Sequence, residues 1–466
     1  MRVTGATFLL LLALLAAAVL QTTAWEDAAG RTRTLQSITA SNATSPKKKC
    51  TLRPKPTTTS GQNSTTAIPT PTAVAPKPTT VAPSPDTTGN EADPTSPSSG
   101  SATTLNFAAK PDGLYLNGAK FTIKGANYFG MEGELLVPHG LWGGAGTTTL
   151  DAVAKFLTTS DFNAVRLTLA VDAVLNNKEV ASSKISNEKE LQTAFSGKTL
   201  HYLDVLDYVV DVFAKHQILV LLNCHMLVAN GGISPLWYTS SDNRNWIEDA
   251  WKILATRYKN SWNVIGADLK NEPHGEATWG SGDANTDWRL ASLQMANTIH
   301  KTTSKWLIFV EGMDKSSRDD PNFPCFWGEN LMDVERAPLE LSVSERLVYS
   351  PHVYGPSVSD MSYFHDTSFP SNMPAIWDKH FGFIRGNKKY GGAMVIGEWG
   401  GAFEKSDDQT WQRAFAKYLK DNGLSWFYWA VNPNAGDTKG LLKDDWTTPR
   451  EDKIALLSEF KGTPVP

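Results

Sequence analysis

Two glutamates stand where short apolar runs finish in polar residues. Glu272 closes Ala267-Asp268-Leu269-Lys270-Asn271-Glu272-Pro273, and Glu398 lies in Val395-Ile396-Gly397-Glu398-Trp399-Gly400. Two carboxyl groups facing each other suit glycosidic bond cleavage. One must be protonated to donate to the leaving oxygen, and the other ionised to attack carbon or to activate water. Their surroundings must therefore push their pKa values apart. Arg166, in Ala164-Val165-Arg166-Leu167, is placed to keep Glu398 ionised. Glu272 has no obvious cation beside it and is expected to stay protonated at mildly acidic pH. His225, His352, Tyr354 and Trp429 end or follow other apolar runs. Taken singly, each reads as a structural hydrogen-bonder or a core residue. Taken together they need a scaffold that brings them to one place.

That scaffold is legible as a rhythm of short apolar, β-branched runs. Eight strands are predicted, at Phe121–Phe129, Asn163–Leu169, Ile218–His225, Val264–Asn271, Trp306–Glu311, Leu347–Tyr354, Ala393–Glu398 and Leu424–Ala430. Helical spacing separates them. Leu203, Leu206, Val210 and Phe213 share one helix face, as do Ile247, Trp251, Leu254 and Tyr258, and more weakly Leu290, Leu293, Asn297 and His300. Further helices are expected over 150–158, 372–389, 408–420 and 449–460. Alternating strands and helices imply a parallel α/β fold, and eight units over 105–466 imply a (β/α)8 TIM barrel. A doubly wound open sheet would want a glycine-rich phosphate turn after the first strand, and Gly125-Ala126-Asn127-Tyr128-Phe129-Gly130 is no such turn. In a barrel, chemistry gathers at the C-terminal strand ends. Strands two, three, four, six, seven and eight end in Arg166, His225, Asn271 with Glu272, His352 with Tyr354, Glu398 and Trp429. Burying such charges without a task costs several kcal/mol per ion.

Composition narrows the alternatives. The chain has 466 residues, with 44 basic against 48 acidic side chains, a net charge of −4. That balance offers no polyanion-binding surface, so nucleic acid is not an expected partner. The three cysteines, Cys50, Cys224 and Cys325, have no zinc-finger spacing and are too few for a disulfide framework. No cofactor and no metal are expected: the histidines lack a paired i, i+4 spacing, and Asp319-Asp320 and Asp444-Asp445 lack that of a calcium loop. Residues 1–24 read as a secretory signal, with Arg2 before an apolar run, Phe8 to Leu20, shorter than the ~20 residues that a spanning helix needs. A membrane anchor is the alternative. Residues 25–104 are dominated by Thr, Ser, Pro and Ala and are expected to form a disordered, glycosylated stalk, with N-glycosylation acceptors at Asn42 and Asn63. The expected product is a secreted, extracellular monomer with no membrane segment after signal cleavage.

The segments Asn271-Glu272-Pro273 and Ile396-Gly397-Glu398-Trp399-Gly400, with Arg166, His225, His352, Tyr354 and Trp429 in order on their strands, resemble glycoside hydrolase family 5. The resemblance covers roughly 110–460. Longer stretches, His139-Gly140-Leu141-Trp142, Leu236-Trp237-Tyr238 and Asp287-Trp288-Arg289-Leu290 among them, look closest to its endo-β-1,4-glucanase branch. The resemblance implies a retaining mechanism with Glu398 as nucleophile and Glu272 as acid/base. It implies supporting roles for Arg166, Asn271, His225, His352 and Tyr354, and a β-glucan substrate. Trp429 would stack on a sugar ring, with Trp327, Trp237, Trp142 and His139 as further contacts. Val431 stands where related enzymes often carry an aromatic residue. Xyloglucan, mannan or β-1,3-glucan as substrate, or a non-catalytic glycan-binding barrel, are the alternatives.

Overall fold

The computed structural model describes residues 105–316 and 324–466. The expected leader and stalk, with Asn42, Asn63 and Cys50, lie outside the described residues, as do Asp319 and Asp320.

Three short antiparallel strands come first: β1 (Phe107–Lys110), β2 (Gly113–Leu116) and β3 (Ala119–Phe121). Asn117 and Gly118 join β2 to β3 with φ of 51° and 85°, a two-residue turn that Asn-Gly adopts readily. The barrel follows as β4 (Lys124–Tyr128), β5 (Ala164–Ala170), β6 (Leu219–Met226), β7 (Val264–Asp268), β8 (Leu307–Val310), β9 (Leu347–Tyr349), β10 (His352–Tyr354), β11 (Ala393–Gly400) and β12 (Ser425–Tyr428). Every neighbouring pair is parallel, and β12 pairs with β4 to close the ring. β9 and β10 are one stave interrupted at Ser350-Pro351, since both pair with β11. The staves therefore number eight, as the sequence implies. The run expected over 121–129 is two elements: Phe121 ends the hairpin and β4 begins at Lys124.

Alternation along each strand sorts its residues between two cores. Inward side chains, among them Leu219, Leu221, Leu307, Phe309, Val348, Val395 and Phe427, pack with Phe107, Leu114, Leu116, Phe121 and Ile123. The hairpin sheet thus plugs the N-terminal end of the barrel. Outward residues such as Val165, Val220, Leu222, Ile308 and Ile396 pack against the helices. By this parity Ala164 and Arg166 face inward while Val165 and Leu167 face out. The one buried arginine on β5 is therefore delivered to the barrel axis.

Helices Tyr202–Lys215 and Trp246–Tyr258 bury the faces expected of them. Helix Trp288–His300 does not. Its buried side chains are Trp288, Ala291, Ser292, Met295, Ala296, Thr298 and Ile299, with Leu290, Leu293, Asn297 and His300 off the core-facing stripe. The anchor is Trp288, whose indole N–H donates to the Glu311 carbonyl at 3.0 Å. The helix expected over 372–389 stops at His380 and gives way to 3-10 turns at Gly382–Ile384 and Lys388–Tyr390. The chain leaves helical geometry at Phe381, φ −151°, and Gly382 then packs so close to Tyr418 that a Cβ would lie 2.2 Å from its hydroxyl. The segment expected over 449–460 is helical only at Glu451–Leu457.

Gly125 marks where β4 and β12 press together. A Cβ at this position would lie 2.2 Å from the Phe427 ring. Gly125→Ala is therefore expected to lower stability by about 1–3 kcal/mol through overpacking, read as a drop in the thermal midpoint. Combination with Phe427→Leu should recover part of the loss, and strictly additive losses would refute the contact.

Candidate active site

The C-terminal mouth of the barrel is organised around Arg166, which has no solvent exposure. A guanidinium has five N–H donors in a fixed fork, and all five are used. Nε donates to Asp268 Oδ2 at 2.6 Å. Nη1 donates to Asn127 Oδ1 at 2.9 Å and to Glu398 Oε1 at 2.5 Å. Nη2 donates to Asn271 Oδ1 at 2.8 Å and to Glu311 Oε1 at 3.1 Å. Burial alone would lower the Arg166 pKa. Asp268, Glu398 and Glu311 more than reverse that, and it is raised.

The two glutamates singled out by sequence are brought together. Tyr354 donates its hydroxyl to Glu398 Oε2 at 2.6 Å. Burial, and after it the charge of Glu398, raises the Tyr354 pKa far enough to keep this phenol a donor. His352 Nδ1 lies 3.1 Å from Glu272 Oε1 and 3.5 Å from Glu398 Oε2, and the three ligand atoms lie within 4.8 Å of one another. The expectation that no cation stands beside Glu272 is thus corrected. Burial would lower the pKa of His352, but Glu311 and Glu398 overcome it and raise the value to about 10. His225 is driven the opposite way: burial, then Arg166, His352 and Lys270, lower its pKa well below the ordinary value. One ring is therefore an imidazolium and the other a neutral imidazole, with Nδ1 of His225 2.8 Å from Asn223 Oδ1.

Glu272 sits in a left-handed backbone conformation, φ 49°. Such strain persists at a non-glycine residue only where its surroundings fix it. Here the Glu272 N–H donates to Glu311 Oε2 at 2.6 Å, and its carbonyl lies 2.8 Å from His274 Nδ1. Lys270, buried on the same segment, donates to the Ser234 carbonyl at 2.7 Å and to that of Asn271. Burial holds its pKa down at about 8.

Aromatic rings extend from this centre. Trp429 lies nearly parallel to His225, 10° between planes at 5.7 Å, and to Phe129, 13° at 5.5 Å. From Phe129 the row continues edge-to-face through His139 and Trp142 to Trp446. Trp327 is separate and stacks flat on His274, with centroids 3.7 Å apart. Trp237 lies apart from this row, packed against Trp288 and Tyr238. Three central residues were not singled out by sequence: Asn127, Asp268 and Glu311. Each carried a signal, being polar at or near the C-terminal end of a predicted strand.

Asp268, Glu311 and His352 place ligand atoms within 4.8 Å of one another, as do Glu272, His352 and Glu398. Both trios share His352, and of their carboxylates Asp268, Glu311 and Glu398 pair with Arg166. A third trio, Cys325, Glu329 and His380, lies on the loop after β8 and the helix Met373–His380.

The cellulase (glycosyl hydrolase family 5) family model matches residues 115–435. The chain belongs to glycosyl hydrolase family 5. Relatives within that family include the major extracellular endoglucanase of Xanthomonas campestris, 41% identical over 78% of this chain and 74% of its own. An endoglucanase of Paenibacillus polymyxa is 40% identical over 73% of this chain and 84% of its own. The solved catalytic domain of the Xanthomonas campestris enzyme superposes with a TM-score of 0.68 at 40% identity, covering 75% of this chain and 98% of that one. An endocellulase from Pyrococcus horikoshii, solved with cellotetraose, gives a TM-score of 0.70 at 33% identity over 77% and 99%. The barrel read from the alternation of eight strands with helices is thus the barrel found.

Because the folded protein holds the His352 proton more tightly than an unfolded chain would, that proton contributes to stability. The contribution is complete below the ordinary pKa of 6.5 and is lost as pH rises towards about 10. Thermal midpoints are expected to fall across this window in the native protein and to fall less steeply in His352→Asn. Parallel slopes for the two proteins would show that His352 is not the group responsible.

Proposed function

We propose that this protein is a secreted, monomeric endo-β-1,4-glucanase that cleaves cellulose or mixed-linkage β-glucan by double displacement, with net retention at the anomeric carbon. The observation that carries the reading is the pair of carboxylates bridged by His352. One oxygen of Glu272 and one of Glu398 approach within 4.8 Å of each other, a nearest approach that favours the closer of two spacings. A carboxylate that attacks carbon directly stands about 5–5.5 Å from its acid partner, whereas an inverting pair is held about 6.5–9.5 Å apart to admit water. The names of the relatives, and the cellotetraose bound by the Pyrococcus horikoshii endocellulase, support a β-1,4-glucan. Secretion rests on the leader-like residues 1–24 and on the Xanthomonas campestris relative named as extracellular. Among the described residues no helix is long and apolar enough to cross a membrane.

Glu398, paired with Arg166, attacks the anomeric carbon as Glu272, which can draw a proton from the His352 ring 3.1 Å from its Oε1, passes that proton to the leaving glycosidic oxygen. The carbon–oxygen bond breaks, its electron pair stays on that oxygen, and a glycosyl ester forms on Glu398. Tyr354 steadies Glu398 before attack and loses its short hydrogen bond as the ester forms. Glu272, now ionised, takes a proton from water. The hydroxide adds to the anomeric carbon and expels the Glu398 carboxylate. The amide nitrogen of Asn271 is buried with no protein partner among the described residues, which leaves a donor for the 2-hydroxyl of the sugar. Trp429 offers a face to the ring at the cleavage point, and Trp142, Trp327 and His139 border neighbouring sugars.

Glu398→Gln is expected to abolish the fall in viscosity of carboxymethyl-cellulose and barley β-glucan. Glu272→Gln should lower kcat roughly 10²–10⁴-fold on these polymers, and much less on an aryl cellobioside whose leaving group needs no proton. Product first seen by NMR should be the β-anomer. An initial α-anomer would refute retention, and hydrolysis of mannan alone would change the substrate while keeping the mechanism.

A further inference from the structure

Glu311 directly follows β8 and is fully buried, yet the double displacement assigns it no step. Its two oxygens serve three partners, on β5, on β10 and just beyond β7. Oε1 takes the hydrogen bond from Arg166 Nη2 at 3.1 Å and faces His352 Nε2 at 3.2 Å. Oε2 accepts the Glu272 backbone N–H at 2.6 Å. Arg166 and His352 are the two cations nearest Glu398, and the Glu272 backbone is the strained one. The packing leaves this carboxylate no slack. A Cβ on Gly328, itself at φ +75°, would lie 2.9 Å from Glu311 Oε2, 3.2 Å from His352 and 3.3 Å from Glu272.

We propose that Glu311 is the positioning residue of the site, a buried anion that fixes the orientation and charge of His352 and pins the backbone of Glu272, so that one carboxylate registers the acid against the nucleophile. This rests on the roles assigned above to Glu272 and Glu398. His352 is faced by Glu272 from the segment after β7, Glu311 from just beyond β8 and Glu398 from β11. Asp268 on β7 and the cationic Arg166 on β5 also bear on it, as does neutral His225 on β6. Among these anions Glu311 alone contacts the second ring nitrogen, so its removal takes away a charge that no neighbour replaces. Nothing in this arrangement lets Glu311 touch substrate.

The test is Glu311→Gln in the full chain, which keeps the shape and removes the charge. On barley β-glucan kcat should fall roughly 10²-fold, the loss that follows a misplacement of about 1 Å, with KM little changed. The basic limb of the kcat/KM profile should move to lower pH by more than one unit. In the resting protein the His352 ring, followed by NMR, should lose its proton at correspondingly lower pH. That readout needs no substrate, so it succeeds or fails independently of which polymer is cleaved and of whether Glu272 and Glu398 act as assigned. An unmoved His352 midpoint, or an unchanged kcat, overturns the proposal. Should the variant not fold, Gly328→Ala, which drives a methyl group against Glu311, is measured in its place and must shift the same midpoint in the same direction.

Discussion

Everything at the mouth of this barrel hangs from one guanidinium. Arg166 has its five donors committed to five different residues, carried by or just beyond β4, β7, β8 and β11. A lysine could neutralise charge here but could not span those directions, because an ammonium is a point charge and a guanidinium is a planar fork. Three of its partners are carboxylates. Burial on the barrel axis pushes the Asp268 carboxyl up to about 7 even against the opposing pull of Arg166, and the arginine without its partners would be a costly buried cation. The cluster is therefore stable only when complete. Completing it fixes where β5, β7, β8 and β11 stand relative to one another.

A second consequence is the division of labour between two histidines about one arginine. His352 sits among carboxylates and gains a charge, while His225 sits towards the cations and loses one. The same side chain, with the same intrinsic chemistry, becomes a fixed positive charge in one place and a neutral ring in the other. The neutral ring can lie flat beside Trp429 and present an apolar face to a sugar. The charged ring bridges the carboxylates. No loop movement is needed to set these states, because burial and the neighbouring charges decide them in the resting protein.

The sequence made the barrel and its pair of glutamates legible because both are written in short-range patterns. Short apolar runs alternated with helical spacing, and polar residues at strand ends stood out against those runs. What it hid were relations between distant segments. Glu311 ends a predicted strand, yet its meaning lies in contacts with Arg166, Glu272 and His352, 39 to 145 positions away. The cation beside Glu272 was missed for the same reason, since His352 is 80 positions further on. The face of the helix at Trp288 was misjudged because one indole hydrogen bond to Glu311 outweighs a weak apolar stripe. The hairpin before the barrel merged with the first stave although Asn117-Gly118 signalled its turn.

The antiparallel plug beneath the barrel gives the cavity a single opening. Phe107, Leu114, Phe121 and Phe427 fill the end opposite the buried charges. The buried charges therefore meet solvent from one side alone. Any change in the acidity of the medium reaches them through the strand ends, where the least buried of the group, Glu272, stands first in line.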